Sequence, residues 1–573
     1  MLGALQNWIT SLEQKCSPRK VYWCEGSAPE KAYLSDLAVR RHVFRRLNSA
    51  LWPGCYHHCT HLLDSSEADN TTYICSARRE DAGPNLWMPA AELSEQLNGN
   101  LRGALRGRTM YVVPFLMGPP GSASARVGVQ VTDSLYLTLC LLNLATVGGP
   151  AYQQLETSPY FIRAIHSSLD LDPDRRLVAY FPEEKLTISV GSSFGADALL
   201  ARKNITLTVA SRLAAAEGWL VGNMAVFAVE NPVGEKHYFA AALPTGFGKT
   251  SLALLTPPAR YRDWRVTTVN TDAAWLRPGP DGRLYSVAPK PGYYGLLPGR
   301  DVSLEANVAE LLRHDCIFTN CGTTPAGDLW WEGMGKPPPD SLYNWSGRVF
   351  DPNSDETAAH PNSSFCAPVT NNPRLDRSYA APEGVPISAI LFGSLRRSVY
   401  PPVIEAFDWP HGIFLGATLS AVRTGPAQGR DPVRYDPFGI TAFIGQPLPS
   451  YLQAWLELES KLANKPKIFH INWSWDATGQ EDSWPNFARN FWILHWIFGR
   501  CSGTATANES PLGLSPEFDH IEELSRLSGS ALEGLARPDP AQWRLETENR
   551  ARYLSNLAIP PGIWQQWNTL RGS

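Results

Sequence analysis

The residues with the clearest chemical potential lie in one short stretch, Gly246-Phe-Gly-Lys-Thr250, which follows an apolar run from Phe239. Glycines there let backbone N–H groups approach phosphate oxygens, while Lys249 can reach terminal phosphates and the Thr250 hydroxyl can bind Mg²⁺. Leu243 occupies the place of the first glycine in the strict G-x-x-x-x-G-K-[ST] pattern. The stretch indicates a nucleoside triphosphate site, with a chance G-K-T sequence after a strand as the alternative.

A carboxylate farther along the chain supports this interpretation. A β-branched run from Trp264 ends in Asp272, and nucleotide-binding α/β folds place a metal-holding acid at the carboxyl end of such a strand. Asp272 alone could instead cap a helix over residues 273–276. Together with Lys249 and Thr250, the metal-binding role is the better prediction.

Composition limits the classes of function. A chain of 573 residues is too long for one small core, which predicts two lobes. The net charge of −4 and the pI near 6.3 give no indication of a nucleic-acid or membrane-surface partner. The longest apolar run, Leu135–Val147, is too short to span a bilayer, and no secretory signal opens the chain. We expect a cytoplasmic monomer that acts on a small molecule.

The ten cysteines are scattered without a disulfide-framework spacing, which fits a reduced protein. One cluster, Cys55-Tyr-His-His-Cys59-Thr-His61, has the residue types that bind zinc. No second ligand pair follows at a finger-like distance, so a surface segment between a helix and a loop is the preferred prediction.

Periodicity predicts an α/β protein. Helices are expected over Pro29–Ala50, Ser94–Leu105 and Ile205–Glu217. Strands are expected over Met110–Pro114, Ala125–Thr132, Lys185–Val190, Ala225–Val229, His237–Leu243, Arg265–Asn270, Ile317–Asn320, Ile387–Phe392 and Lys467–Asn472. The segment 423–432 has few apolar residues and indicates a surface loop that could serve as a lid.

Longer motifs identify a family resemblance. They are Arg108-Thr-Met-Tyr-Val-Val-Pro-Phe, Val131-Thr-Asp-Ser, Glu217-Gly-Trp-Leu220, Phe318-Thr-Asn320, Trp331-Glu-Gly333, His360-Pro-Asn-Ser363, Asp436-Pro-Phe438 and Lys467-Ile-Phe-His-Ile-Asn-Trp473. In this order they resemble the GTP-dependent phosphoenolpyruvate carboxykinases, nearly collinearly from the first helix to about Arg500.

The resemblance implies a two-lobed α/β fold with a P-loop-type nucleotide site in the C-terminal lobe. Residues 1–222 would form the N-terminal, substrate-side lobe and 223–573 the nucleotide-binding lobe, with a mobile lid near 421–434. It also implies a divalent metal, Mg²⁺ or Mn²⁺, and GTP as co-substrate. Members of this family interconvert oxaloacetate and GTP with phosphoenolpyruvate, CO₂ and GDP.

The resemblance also assigns roles residue by residue. The catalytic group would be Lys203, Lys249 and Arg396. The nucleotide would contact Gly246, Phe247, Gly248, Lys249, Thr250, Ser251, Arg396, Trp473, Phe487 and Asn490. The metal would lie near Lys203, Asn223, Thr250 and Asp272. The substrate would contact Glu67, Phe194, Gly195, Ala196, Asn362 and Ser364.

Several positions depart from the family pattern, and the two replaced substrate arginines matter most for the reaction. Asn223 replaces the metal-binding histidine, which would shift metal preference from Mn²⁺ toward Mg²⁺. Glu67 and Ser364 stand at the two substrate arginines. Other departures are Phe194 for tyrosine, Ala196 for glycine, Phe247 for the reactive cysteine, Thr271 for the first paired acid, and Ser474 and Asp482 for stacking aromatics in the guanine pocket.

The magnitude of these losses guides the functional prediction. Truncating an arginine that binds an anion in a desolvated cleft costs about 2–5 kcal/mol, so losing two would weaken binding of a dianionic transition state by roughly three to seven decades. We therefore expect a GTP-dependent phosphotransferase that acts on a small hydroxyl or amine compound other than oxaloacetate. The alternatives are a genuine carboxykinase, whose arginines come from Arg78, Arg79 or Arg397, and a non-catalytic GTP-binding protein.

Overall fold

The computed structural model describes residues 3–64, 72–158, 160–244, 248–394, 400–422, 433–473, 487–525, 532 and 540–571. They form two compact units. The first comprises Met1–Arg212, Ala288–Leu375 and Ala380–Pro382, and the second comprises Leu213–Val287, Asp376–Tyr379 and Glu383–Ser573. The boundary at 222/223 remains a proposal for the two lobes; no sequence pattern indicated that residues 288–375 would rejoin the first unit.

A nine-stranded mixed sheet forms the centre of the first unit. Its long strand Thr109–Met117 is buried along almost its whole length because apolar residues occupy both faces. In spatial order the strands are Lys20–Trp23, Thr109–Met117, Arg126–Thr132, Ile162–Ser167, Leu186–Val190, Leu177–Phe181, Thr72–Ile74 and Leu86–Trp87, with Thr146–Val147 beside Thr109–Met117.

Smaller sheets and helices complete this unit. A five-stranded sheet runs in the order Tyr293–Leu296, Ser364–Ala367, Ile317–Thr319, Tyr56–His58 and Arg45–Arg46, and a two-stranded ladder pairs Gly322–Thr323 with Leu329–Trp330. The helices are Gly3–Cys16, Ala28–Arg40, Ala90–Leu101, Leu135–Leu144, Gly149–Thr157, Gly195–Ala198 and Ala306–Leu311. A π-helical turn, Asn204–Val209, leads into the helix Ala210–Glu217, which continues into the second unit.

Two helix predictions need correction at their ends. The helix predicted over Pro29–Ala50 ends at Arg40, because His42 adopts a positive φ of 57° that a right-handed helix cannot continue through. The helix predicted to start at Ser94 begins at Ala90 instead. The apolar run at Leu135 forms a helix that is buried on nearly all sides.

An eleven-stranded sheet dominates the second unit. Its main path follows Leu220–Gly222, Ala274–Pro278, Leu284–Val287, Val385–Ser394, Lys467–Asn472, Val403–Glu405, Gly513–Ser515 and Asn508–Ser510. Strand Lys236–Ala242 pairs with Val385–Ser394 and with Met224–Glu230, which also pairs with Arg265–Asn270. A separate hairpin joins Ser420–Val422 to Val433–Tyr435.

Helices pack around this sheet. They are Lys249–Ala253, Trp409–Ala417, Leu448–Leu458, Phe491–Ser502, Pro540–Ser555 and Pro561–Arg571. The apolar helix Phe491–Ser502 joins the strand residues Phe239, Leu391 and Phe469 in one core cluster. Across the part of the chain that the structure describes, no helix is long and apolar enough to cross a membrane.

Candidate active site

Three parallel neighbouring strands organise the candidate nucleotide site. Lys236–Ala242 pairs in parallel with Val385–Ser394, which pairs in parallel with Lys467–Asn472. The carboxyl ends of parallel strands meet at one edge of a sheet, where α/β folds bind ligands. Lys249 and Trp473 follow two of these ends, so the sheet itself places them on the same edge.

Two further predicted residues reach this edge through antiparallel pairing. Met224–Glu230 runs antiparallel to both Lys236–Ala242 and Arg265–Asn270. Asn223 directly precedes its first residue, and Asp272 lies two residues beyond the end of Arg265–Asn270. Both therefore lie near the loop that carries Lys249. The alternative of a helix cap for Asp272 is wrong, because a strand, Ala274–Pro278, follows it.

Lys249 is buried and bonded to its own loop. Its Nζ donates to the Leu243 carbonyl oxygen at 2.6 Å and lies 3.5 Å from the Pro244 carbonyl oxygen. Burial lowers the pKa of Lys249 to about 8, while the negative charges of Asp436 and Asp272 act in the opposite direction. An incoming phosphate would meet a buried cation whose present partners are backbone carbonyls.

The turn before Lys249 requires glycine. Gly248 has a φ of +82°, in the left-handed region, and caps the helix Lys249–Ala253. Leu252 N–H donates to the Gly248 carbonyl at 2.9 Å, which starts the helix directly after the loop. The helix therefore begins at Lys249 itself, and a helix N-terminus is a favourable position for an anionic ligand.

Asn223 and Asp272 offer oxygen atoms at this edge. Asn223 is fully buried, and its Nδ2 donates to the Gly439 carbonyl at 2.6 Å. This bond fixes which end of the amide is oxygen, and that Oδ1 is buried without a hydrogen bond among the described residues. The Asp272 side chain is also buried. Carboxylate and amide oxygens suit a hard divalent cation such as Mg²⁺, so the donor set fits the expected metal.

The other residues of the predicted metal and phosphate sites are divided between the units. Thr250 and Ser251 belong to the helix Lys249–Ala253 in the second unit. Lys203 belongs to the first unit, where it precedes the π-helical turn Asn204–Val209 and its carbonyl accepts from Leu207 N–H at 2.9 Å.

The structure brings together two aromatic residues of the predicted guanine pocket. The rings of Trp473 and Phe487 meet edge to face with centroids 4.9 Å apart. Both side chains are almost completely buried in the core around helix Phe491–Ser502, and Asn490 directly precedes that helix. This corner therefore supplies an aromatic wall and an amide, which are the groups that recognise a base.

In the first unit, two tyrosine hydroxyls converge on Gly195. A Cβ added at Gly195 would lie 2.7 Å from the Tyr294 hydroxyl and 3.2 Å from the Tyr136 hydroxyl. Tyr136 bonds to Thr319 Oγ1 at 3.0 Å, and Tyr294 bonds to Ser364 Oγ at 2.9 Å. Any larger residue at position 195 would displace these hydroxyls, so glycine keeps them at the backbone.

Arg202 lies over the same cluster. Its guanidinium carbon is 4.1 Å from the centroid of the Tyr294 ring, a cation–π contact. Its Nε is buried and makes no hydrogen bond to any residue that the structure describes. We name Arg202, Tyr294, Tyr136, Gly195 and Ser364 the tyrosine cluster. It presents one cation and several hydroxyls, which suits an anionic ligand.

A buried carboxylate holds the loop that precedes Gly195. Asp64 accepts from the Ser192 hydroxyl at 2.7 Å and from the backbone N–H of Ser193, and it pairs with Arg176 at 3.3 Å.

Sequence reasoning missed Asp64, Arg202 and both tyrosines. Their roles depend on contacts between distant segments, although a cation next to the predicted Lys203 was a usable signal for Arg202.

The remaining predicted substrate residues have structural partners. Ser364 is fully buried and acts through Tyr294. The Asn362 side-chain oxygen accepts from Asn320 Nδ2 at 3.1 Å. Phe194 is buried, and Ala196 follows it in the short helix Gly195–Ala198.

Some predicted residues lie outside the described part of the chain. They are Glu67, Gly246, Phe247, Arg396, Arg397, Ser474, Asp482 and the central lid residues 423–432. Their assignments remain predictions from the resemblance.

The cysteine and histidine cluster is not the predicted helix-to-loop surface segment. Tyr56–His58 is a strand of the five-stranded sheet, so neighbouring side chains point to opposite faces. His57 Nε2 accepts from Cys321 N–H at 3.2 Å, whereas His58 Nδ1 donates to the Val43 carbonyl at 2.8 Å. Burial lowers the pKa of His57 to about 3 and of His58 to about 4. No metal-ligating group of three or more residues occurs in the described ranges.

Comparisons with known proteins cover almost the whole chain. Residues 219–573 match the family model of the phosphoenolpyruvate carboxykinase C-terminal P-loop domain, and residues 7–215 match that of the N-terminal domain. A protein from Anaeromyxobacter sp. (strain K), named phosphoenolpyruvate carboxykinase [GTP], is 41% identical over 96% of this chain and 93% of its own length. Similarly named proteins from Chlamydia caviae and Chlamydia pneumoniae are 36% and 35% identical, each over 96% of this chain and 94% of their own length.

Proposed function

This chain belongs to the phosphoenolpyruvate carboxykinase family, and from that premise we propose that it is a GTP-dependent phosphoenolpyruvate carboxykinase. It would convert oxaloacetate and GTP into phosphoenolpyruvate, CO₂ and GDP, and run the reverse reaction. The observation that carries this proposal is the similarity across 96% of the chain to relatives that bear this name.

The comparisons correct the leading expectation from the sequence. A phosphotransferase that acts on another hydroxyl or amine was expected because both substrate arginines are replaced. The relatives' names favour the carboxykinase alternative instead. Arg78 is a poor candidate for the cation that binds oxaloacetate, because its side chain is exposed and pairs with Asp81 at 2.9 Å.

The tyrosine cluster supports this choice physically. Arg202 has a buried Nε without a hydrogen bond, beside the hydroxyls of Tyr294 and Tyr136. A carboxylate of oxaloacetate would receive a charge-assisted bond from the guanidinium and neutral bonds from the hydroxyls. One arginine would therefore restore part of the charge that the replacements at positions 67 and 364 remove.

The chemistry has two steps whose atoms and electrons balance. Loss of CO₂ from oxaloacetate breaks a C–C bond and leaves the enolate of pyruvate. The enolate oxygen then attacks the γ-phosphorus of GTP, which forms the new P–O bond while the bond to the β-phosphate oxygen breaks. Lys249 would stabilise the negative charge on the transferred phosphoryl group, for which positioning and charge neutralisation supply most of the catalysis.

A divalent metal fits the second unit's edge. Asp272 and the fixed Asn223 oxygen would help to hold it, and Thr250 would bind an ion that arrives with the nucleotide. When bound, such an ion supplies charge neutralisation at phosphoryl oxygens. Asn223 offers an oxygen ligand where the family has a histidine nitrogen. An oxygen ligand favours Mg²⁺ over Mn²⁺ more than a nitrogen ligand does.

Guanine would be recognised at the corner formed by Trp473, Phe487 and Asn490. The edge-to-face aromatic pair provides a wall, and an amide can read the edge of the base. We expect GTP to be preferred to ATP, less sharply than in a pocket with more stacking aromatics. Calorimetry with GDP and ADP would check this, and tighter ADP binding would contradict it.

The reverse reaction tests the proposed function. Purified protein is incubated with phosphoenolpyruvate, GDP, Mg²⁺ or Mn²⁺ and labelled bicarbonate, and the labelled oxaloacetate is trapped by reduction to malate. We expect label to enter acid-stable product only when GDP and phosphoenolpyruvate are both present. Absence of label from a protein that binds GDP would leave the phosphotransferase as the better account.

A further inference from the structure

A second basic site is formed by residues of the first unit, whereas Lys249 belongs to the second unit. A cavity of about 710 Å³ is lined by four cations, Arg19, Lys20, Arg41 and Arg108, with Asp133 as the sole lining carboxylate among the described residues. This local excess of positive charge contrasts with the net charge of −4 of the whole chain.

Strand pairing explains why the cations converge. Strand Lys20–Trp23 runs parallel to Thr109–Met117, with Lys20 opposite Thr109. Arg19 N–H donates to the Arg108 carbonyl at 2.9 Å, which places both arginines at the same end of the pair. Arg41 directly follows helix Ala28–Arg40 and completes the group. Four cations from three segments therefore line one cavity.

Most of this charge is not neutralised internally. Arg108 pairs with Asp133 at 2.7 Å and with Asp170 at 3.2 Å. By contrast, Arg19, Lys20 and Arg41 have no carboxylate within 4 Å in the described part of the chain. Three like charges around one cavity repel one another, and an anion between them would relieve that repulsion.

The cavity wall adds neutral groups that suit an anion. Ser134, the N-cap of helix Leu135–Leu144, lines the cavity together with Leu135, so the positive end of this ten-residue helix faces inward. The Tyr111 side chain is 2% exposed, and its hydroxyl interacts with the side chains of Thr109 and Arg41, which line the same cavity. A buried hydroxyl beside a cation adds a neutral donor that an anion can use.

We propose that this cavity binds a small polyanion, a metabolite with at least two negative charges on phosphoryl or carboxylate groups. A cavity of this volume suits a small molecule rather than a nucleic acid. The site shares Tyr136 and Ser193 with the wall next to Gly195, but it contains neither Arg202 nor Tyr294. Because neither Arg202 nor Tyr294 lines the cavity, its occupant would be a second ligand, in contact with Tyr136 of the tyrosine cluster.

The proposal is tested by titrating inorganic pyrophosphate and, separately, citrate by calorimetry without metal. The Lys249→Ala variant removes the phosphate-loop cation, so binding that remains belongs to other sites. We expect it to retain one equivalent of polyanion binding. Adding Arg19→Ala and Arg41→Ala should then weaken that binding at least tenfold, whereas adding Arg102→Ala, an exposed arginine outside the cavity, should leave it unchanged.

The outcomes separate this site from the others. Binding of either probe with this variant pattern supports the proposal, and the preferred probe distinguishes phosphoryl from carboxylate ligands. Loss of all binding in Lys249→Ala would assign the polyanion to the phosphate loop and overturn it. Loss in Arg202→Ala but not in the Arg19→Ala, Arg41→Ala pair would assign it to the tyrosine cluster and likewise overturn it. Because no turnover is measured, the result is independent of the proposed reaction.

Discussion

The two units build their candidate sites in different ways. In the second unit, Lys249, Asp272, Asn223 and Trp473 all lie next to strand ends, so the sheet's backbone pairing brings them together. In the first unit, the tyrosine cluster combines side chains from segments far apart in the chain. Backbone pairing therefore positions the residues of the second-unit site, whereas the tyrosine cluster depends on side-chain contacts between distant segments.

The largest effect is expected at the phosphate loop. Replacing Lys249 with alanine removes the buried cation that would meet the phosphates, and we expect kcat to fall by about 100-fold or more. The melting temperature should change little, because Lys249 bonds only to backbone carbonyls of its own loop. Steady-state kinetics at saturating GTP give the measurement, with exposed Lys465→Ala as control. Turnover near that of the unmodified protein would show that Lys249 does not contact the phosphates of GTP in the reaction.

Arg202 is the corresponding test of the first unit. Arg202→Ala should lower kcat/KM for oxaloacetate by about 30-fold or more, which corresponds to losing one charge-assisted contact of about 2 kcal/mol. GDP affinity should remain unchanged, and Arg202→Lys should recover part of the loss. Arg163→Ala is a matched control in the same unit, since Arg163 bonds to the Glu184 carbonyl at the surface. An equal loss of kcat/KM in Arg202→Ala and Arg163→Ala would contradict a specific role of Arg202 in binding oxaloacetate.

The metal ligands sharpen the contrast within the second unit. Asp272→Asn should weaken Mg²⁺ or Mn²⁺ binding at least about tenfold, because it removes a buried anionic donor. Asn223→His should raise Mn²⁺ affinity relative to Mg²⁺. Titration of Mn²⁺ followed by electron paramagnetic resonance measures both, with exposed Asp263→Asn as control. Unchanged affinity in Asp272→Asn would refute the assignment.

A smaller effect concerns pH. The pKa of Lys249 is lowered to about 8 in the free protein, and a bound phosphate would raise it. The bound state then holds more protons above pH 8, so GDP affinity should fall as pH rises through 8, by at most about tenfold per pH unit. Calorimetry in buffers of different ionisation enthalpy should show proton uptake near pH 8. Proton release would contradict this.

Sequence patterns predicted several strands of the second unit closely, because the alternation and length of an apolar run are local properties. Strands Arg265–Asn270 and Lys467–Asn472 have the predicted bounds, and Met224–Glu230 and Lys236–Ala242 differ by one residue at each end. Gly248 and Lys249 were identified from spacing alone, because a phosphate loop is a contiguous motif.

The first unit shows where such reasoning ends. The strand Tyr56–His58, whose central residue His57 is buried, differs from the predicted surface segment, because its two histidines give it no apolar pattern. Gly195 was assigned by resemblance, but the convergence of Tyr136 and Tyr294 on it depends on tertiary contacts. The same holds for Asp64, whose carboxylate fixes the loop from 128 residues away in sequence.

The most direct test of the central claim is the stoichiometry of the forward reaction. Purified protein is mixed with oxaloacetate, GTP and Mg²⁺ or Mn²⁺, and phosphoenolpyruvate and GDP are quantified together over time. If the tyrosine cluster binds oxaloacetate and the phosphate loop binds GTP in a carboxykinase reaction, the two products will accumulate one to one, and omission of oxaloacetate will abolish both. Formation of GDP without phosphoenolpyruvate, or binding of GTP with no turnover, would contradict the account.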